Sequence, residues 1–197
     1  MEADWPFFYS PEVTIGAPGG VFGVASLGYD PASANSQGGT ITLGLGESGV
    51  GGTPHCAVDG TGADLAIYEN PFITTDPQTM IEGTNNEVAT VAVSEDGTAW
   101  YEFPPSIDFA RNLVERTRYG NFAGVTPTAE GGDRLDLAEI ILAAGLATGF
   151  RACYVRISDG GTRWPDYGNT QTDLFASGAD IDAVEALHSV AAPGLAP

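Results

Sequence analysis

Residues 87–103 read EVATVAVSEDGTAWYEF, which is a strong β-hairpin signal. The runs Val88–Ser94 and Ala99–Phe103 are rich in β-branched and aromatic residues, which favour an extended backbone. Asp96 and Gly97 stand between these runs, and an Asp-Gly pair suits a tight turn that needs a positive φ. The stretch therefore predicts an antiparallel β-hairpin.

The rest of the chain has the same β-rich character. Its 197 residues include 27 glycines and 13 prolines, which are too many for a helical protein but typical of short strands joined by turns. Hydrophobic residues make up 43% of the chain, which is enough for a sizeable core. Further strands are predicted at Gly39–Leu45, Ala63–Glu69, Ala152–Ser158 and Asp182–Leu187, with weaker signals at Glu12–Ile15 and Val21–Leu27. Long segments without a clear strand signal lie at 70–86, 104–132 and 159–178.

One segment has the periodicity of a helix instead. From Leu135 to about Leu146, apolar residues recur at helical spacing and acidic residues lie in the first turn. Gly145 is a natural place for this helix to end. Together these patterns predict an all-β antiparallel sandwich with one short helix. We expect a single domain over residues 1–190 and a C-terminal tail at 191–197.

The charge of the chain excludes several classes of partner. There are 26 acidic residues against 7 arginines and no lysine, so the formal net charge is −19. Such a chain repels the phosphates of nucleic acids, and no run of 18 apolar residues is present for membrane insertion. Divalent cations and neutral or cationic ligands remain as natural partners. The alternative is that the acidic residues only keep the protein soluble.

Enzyme signatures are weak, and we expect no catalytic activity. Residues Gly44–Gly49 match the G-x-G-x-x-G pattern, but glycines and a proline follow instead of a helix, which indicates a glycine-rich turn. His55 and His188 stand in unlike contexts and lack metal-ligand spacing. A glycan-active hydrolase with paired carboxylates is the weakest alternative, because nothing singles out one pair among 26 acidic residues.

Acidic residues cluster at predicted strand and loop ends. Asp59 precedes the strand that ends at Glu69, and Asp64 lies near the start of that strand. Alternation places Glu69 on the same face as the apolar Leu65 and Ile67. A carboxylate at the rim of a core needs a cation or several donors. Two further clusters are Asp133 with Asp136, and the acidic residues within 180–187. Oxygen-rich clusters of this kind suit calcium, and the alternative is a set of solvated carboxylates.

These stretches, taken in order, resemble a family of secreted bacterial cell-surface proteins. The matching pieces are GTITLGLG at 39–46, DGTGADLAIYEN at 59–70, EVATVAVSEDGTAWYEF at 87–103, GGDRLDLAE at 131–139, YVRISD at 154–159 and DIDAVEAL at 180–187. The resemblance implies a jelly-roll sandwich related to carbohydrate-binding modules and discoidin-like domains. The closing strand is similar to the last strand of calcium-containing carbohydrate-binding modules. That similarity implies Asp182 as the best calcium ligand, followed by Glu69 and Asp64.

The resemblance also bears on location and on the two cysteines. Met1 is followed by Glu-Ala-Asp-Trp rather than by a basic and then apolar segment, so the chain is either cytoplasmic or an exported form without its signal. The resemblance favours export to the cell surface or beyond. In that compartment Cys56 and Cys153 can form a disulfide. The alternative is a buried thiol, since Cys153 alternates with Val155 and Ile157.

The sequence thus favours a non-catalytic, extracellular, calcium-binding surface or adhesion module. Its partner would be a glycan or another cell-surface component, bound by aromatic residues of the 159–178 loop, namely Trp164, Tyr167 and Phe175. Alternatively, these aromatic residues close one end of the sandwich. A second functional hypothesis is a structural subunit that self-associates, with calcium, into a filament, sheath or surface layer.

Overall fold

The computed structural model describes residues 25–26, 40–45, 55–69, 71, 73–160, 164 and 179–192, and these residues form mainly β-strands. The strands are β1 Ala25–Ser26, β2 Thr40–Gly44, β3 His55–Val58, β4 Leu65–Glu69, β5 Ile73–Thr75, β6 Glu82–Thr84, β7 Ala89–Ser94, β8 Tyr101–Glu102, β9 Ser106–Ile107, β10 Tyr119–Gly120, β11 Phe122–Ala123, β12 Asp133–Leu135, β13 Arg151–Ala152, β14 Tyr154–Asp159, β15 Asp180–Ala186 and β16 Ser189–Ala191. The α-helix in the described ranges is α1, Leu137–Ala144. No helix in these ranges is long and apolar enough to cross a membrane.

Two antiparallel sheets enclose the main core. One has the strand order β1-β15-β4-β12, and the other has the order β11-β7-β14-β2 with β8 beside β7. Alternate residues of both sheets point into one buried cluster, which includes Ile41, Leu43, Leu65, Ile67, Val91, Val93, Val155, Ile157, Ile181 and Val184. Burying one such side chain stabilises the fold by about 1.5–3 kcal/mol. The predicted all-β sandwich with one short helix is therefore confirmed.

The predicted hairpin is present. Strands β7 and β8 pair antiparallel, with Val93 opposite Tyr101. Gly97 in the turn has a φ of 74°, the conformation that an Asp-Gly turn supplies. Asp96 accepts hydrogen bonds from the backbone N–H groups of Thr98 and Ala99, so its side chain holds the turn closed. The second strand is shorter than the sequence predicts.

Helix α1 follows its sequence signals closely. Asp136 is the residue before the helix, and its side chain accepts a hydrogen bond from the N–H of Ala138. Gly145 ends the helix in a left-handed conformation, and its N–H donates to the carbonyl of Ile141. The observed helix is shorter at both ends than the predicted segment from Leu135 to about Leu146, because Leu135 belongs to β12.

A disulfide joins a small sheet to the larger sheet that contains β7 and β14. Strands β13, β3 and β16 form the small sheet, and Cys56 lies within β3. Cys153 is bonded to Cys56, and its backbone N–H donates to the carbonyl of Ser94 in the larger sheet. The predicted bridge is therefore confirmed. The weak strand signal at Glu12–Ile15 lies outside the described residues.

Candidate metal centre

Three carboxylates lie close together where the turn between β3 and β4 meets the segment between β12 and α1. Asp59 and Asp64 lie at the two ends of the turn between β3 and β4, and Asp136 lies between β12 and α1. Strands β4 and β12 pair with Leu65 opposite Leu135, which places the residues flanking this pair side by side. One carboxylate oxygen from each aspartate lies within 4.8 Å of the others. The pairing of β4 with β12 therefore brings Asp64 and Asp136 close together.

Asp64 is the fixed member of the cluster. Its side chain is fully buried, with a relative exposure of 0%. Oδ1 accepts a hydrogen bond of 2.8 Å from the N–H of Gly60, and Oδ2 accepts one of 2.8 Å from the N–H of Leu137. Its backbone N–H donates to Leu135, and its carbonyl accepts from Leu187. Such a carboxylate holds its position because the donors compensate for the loss of water.

His188 completes the surroundings of Asp64. Its Nδ1 lies 2.8 Å from Asp64 Oδ1, and its side chain is 39% exposed. The imidazole packs against Gly60, where a Cβ atom would stand 2.4 Å from Nδ1. Glycine at position 60 is therefore required for this packing. The sequence gives no signal for the role of His188, since a lone histidine carries no spacing pattern.

The donor set fits a hard divalent cation. Asp59 is exposed and Asp136 is half-buried, so both present carboxylate oxygens towards solvent. Each oxygen has two lone pairs, so the oxygens of Asp64 and Asp136 that accept one N–H retain the capacity to bind an ion. Calcium takes six to eight oxygen ligands, some of them water or backbone carbonyl. Three clustered carboxylates also repel one another when no cation neutralises them.

The other three predicted ligands lie apart from this cluster. In the described residues, the one group of three ligating side chains is Asp59, Asp64 and Asp136, without Glu69, Asp133 and Asp182. Asp133 Oδ2 and Oδ1 accept hydrogen bonds from the N–H groups of Val125 and Thr126. Burial raises the pKa of Asp133 to about 6, and the two N–H donors offset part of that effect.

Glu69 and Asp182 lie near each other on the paired strands β4 and β15. Glu69 is buried on the inner face of β4, as its alternation with Leu65 and Ile67 predicts. Asp182 is half-buried at an irregularity of β15, where the register shifts between Ile181 and Ala183. Burial raises the pKa of Asp182.

The aromatic residues predicted to bind a ligand are only partly described. Trp164 packs edge-to-face on Phe122, with ring centroids 5.5 Å apart, and lies against a buried cluster that includes Val88 and Tyr119. This packing corresponds to the alternative in which the aromatic residue closes one end of the sandwich. Tyr167 and Phe175 lie outside the described residues.

Comparison of the chain with protein-family models, with curated proteins and with solved structures finds no match. The resemblance to bacterial surface proteins, and the jelly-roll topology that it implies, therefore remain predictions.

Proposed function

We propose that this chain is a non-catalytic, calcium-binding module of the extracellular surface, with its ion held by Asp59, Asp64 and Asp136. The convergence of these three carboxylates is the observation that carries the proposal. A bound cation would tie the β3–β4 turn to the start of α1. Its charge would also relieve repulsion in a chain with a net charge of −19.

The ligand chemistry favours calcium over other cations. Carboxylate oxygens are hard ligands, whereas zinc prefers cysteine and histidine. Both cysteines of the chain are consumed by the disulfide, and Nδ1 of the histidine beside the cluster is directed at Asp64. Magnesium requires near-ideal octahedral geometry, which an irregular turn meets poorly.

Binding is better supported than catalysis. Asp64 and His188 resemble the acid–base pair of a hydrolase, because a buried carboxylate orients one nitrogen of the imidazole. However, among the described residues, Asp64 is the only side chain hydrogen-bonded to His188, so no hydroxyl or thiol nucleophile completes the arrangement. The proposed role of the module is attachment to a glycan or another cell-surface component. The disulfide supports an oxidising, extracellular location.

Calcium titration of the metal-free protein tests the proposal. At a hundredfold excess over Kd, an ion bound only by the folded state adds about 2.7 kcal/mol. That should raise the melting temperature by about 5–10 °C for a domain of this size. Asp59→Asn and Asp136→Asn should lose most of this increase, while Asn still caps the helix at position 136. Glu82→Gln, which removes an exposed charge from β6, is the matched control and should respond like the wild type.

The order of stability of the wild type and Asp59→Asn should reverse when calcium is added. In chelator, Asp59→Asn should be at least as stable as the wild type because one repulsive charge is gone; in calcium it should be less stable. Asp182→Asn distinguishes this cluster from the ligand that the resemblance implies, and it should keep the calcium response. Equal calcium responses in the wild type, Asp59→Asn and Asp136→Asn would contradict the proposed site.

A second function, calcium-dependent self-assembly, is favoured by exposed apolar side chains. Ile73 and Met80 on the β5–β6 hairpin are 61% and 75% exposed, and Phe109 is 72% exposed. Large exposed apolar side chains often mark contact surfaces. Light scattering during calcium addition separates the two functions, because only assembly increases the particle mass.

A further inference from the structure

A cleft of about 330 Å³ lies between the tip of the β7–β8 hairpin and the segment that follows α1. Its lining includes Glu95, Asp96, Tyr101, Leu146, Gly149 and Phe150. None of the residues that line it carries a positive charge. The cleft thus combines acidic, aromatic and aliphatic groups, and it is separate in sequence from the three aspartates of the metal centre.

The aromatic part of the cleft is fixed in place. Tyr101 and Phe150 pack edge-to-face, with ring centroids 5.7 Å apart and an interplanar angle of 88°. Phe150 is almost fully buried and Tyr101 is half-buried, so both rings are anchored in the protein. The faces of aromatic rings attract cations, and their apolar surface accepts an alkyl chain.

One of the two carboxylates of the cleft, that of Asp96, is held in place as well. Asp96 Oδ1 accepts hydrogen bonds from the N–H groups of Thr98 and Ala99 and from the hydroxyl of Ser94. The hydrogen bonds from the turn lower the pKa of Asp96, so the group is ionised at neutral pH. In the described part of the chain, neither Glu95 nor Asp96 forms a salt bridge with an arginine.

We propose that this cleft binds an alkylammonium group, carried either by a free diamine or by a lysine side chain of a partner protein. Two carboxylates would face the ammonium while the aromatic and leucine side chains contact the alkyl chain. A lining that combines carboxylates with apolar side chains favours an organic cation over a hydrated metal ion. No lysine of the chain itself can fill the cleft, because the sequence contains none.

Amide chemical-shift mapping with cadaverine tests the proposal, and chelator in the buffer makes the result independent of calcium. Shifts should concentrate at residues 95–101 and 146–150. Diacetylcadaverine, which has the same carbon chain but no charge, should produce none. Glu95→Gln and Asp96→Asn should each weaken cadaverine binding by about fivefold, the usual upper effect of one exposed ion pair. Asn at position 96 keeps the oxygen acceptor that holds the turn, and Glu82→Gln controls for the loss of one negative charge.

A lysine-containing peptide distinguishes the two sources of the ammonium group. Tighter binding of the peptide than of cadaverine assigns the cleft to a protein partner, and tighter binding of cadaverine assigns it to a free amine. Equal shifts with diacetylcadaverine would overturn the proposal. So would unchanged cadaverine affinity in both cleft variants, or shifts spread evenly over the acidic surface.

Discussion

Asp133 should make the stability of this protein fall as the pH rises from 4 to 6. Asp133 is 6% exposed, and burial raises its pKa from 3.8 to about 6. Between pH 3.8 and about 6, the folded state therefore holds a proton on Asp133 that the unfolded chain has already released. Ionising the buried carboxylate costs free energy that ionisation in the unfolded chain does not. We test this with Asp133→Asn, which cannot ionise.

The magnitude follows from the two pKa values. A rise from 3.8 to about 6 corresponds to about 3 kcal/mol of stability. This cost is absent below pH 3.8, grows between the two pKa values, and is complete above pH 6. Part of this cost is already present at pH 4, so the stability of the wild type relative to Asp133→Asn should decrease by about 2.4 kcal/mol from pH 4 to pH 7. In melting temperature, the relative change is about 5–10 °C.

Only the pH dependence of the difference carries information. Asn at position 133 places an amide group against one of the N–H donors of Val125 and Thr126, which costs stability at every pH. That constant offset cancels when the difference is compared across pH. The measurement is urea unfolding in chelator at pH 4, 5, 6 and 7, with Glu82→Gln as the exposed control. A difference that stays flat would refute the raised pKa, and one of opposite slope would mean that the two N–H donors outweigh burial.

Two further predictions concern the covalent and packing constraints of the fold. Replacing both Cys56 and Cys153 by serine should lower the free energy of unfolding by roughly 4–5 kcal/mol, since the bridge closes a loop with a sequence separation of 97. Thiol titration of the unfolded, unreduced wild type should find no free thiol, and two free thiols would contradict the bridge. Gly60→Ala should displace His188 and destabilise the protein by about 1–3 kcal/mol, because the added Cβ would lie 2.4 Å from Nδ1; an unchanged unfolding curve and an unchanged His188 NMR signal would show that the ring does not pack there.

The sequence predicts those parts of the fold whose determinants are local. The turn at Asp96 and Gly97, the cap at Asp136 and the stop at Gly145 each depend on a few adjacent residues. Period-two alternation likewise places Leu65 in the main core and Ala66 on the opposite face. Patterns of this kind persist because each residue meets its structural requirement within one turn or one strand.

Strands held by distant polar contacts escape such patterns. The segments at 70–86 and 104–132 contain β5, β6 and β9 to β11, which are two or three residues long. They are joined by side-chain hydrogen bonds, such as that from Asn112 Nδ2 to Asp76 Oδ2 and that from Asn86 Nδ2 to the carbonyl of Leu113. No hydrophobic period in the sequence predicts these contacts, because polar side chains make them.

The candidate site was predictable as a list of acids but not as a geometry. Asp59, Asp64 and Asp136 stand in acid-rich loops, yet their meeting depends on the register of β4 with β12. Asp133 is three residues from Asp136 in sequence, and it points its oxygens at two backbone N–H groups instead. The sequence cannot distinguish the roles of Asp133 and Asp136, because each role depends on which loop of the folded chain faces the carboxylate.

Asp64 links the stability of the fold to its proposed ligand. Its backbone bonds to Leu135 and Leu187, and its carboxylate bonds to Gly60 and Leu137, so three chain segments converge on one residue. Asp59 and Asp136 are far apart in sequence and approach each other only when β4 and β12 pair. An ion that needs all three carboxylates can therefore bind the folded chain but not the unfolded one, so its binding energy adds to stability. Substituting Asp64 would remove the fold's own contacts together with the ion, and Asp59 and Asp136 are the positions at which the two effects separate.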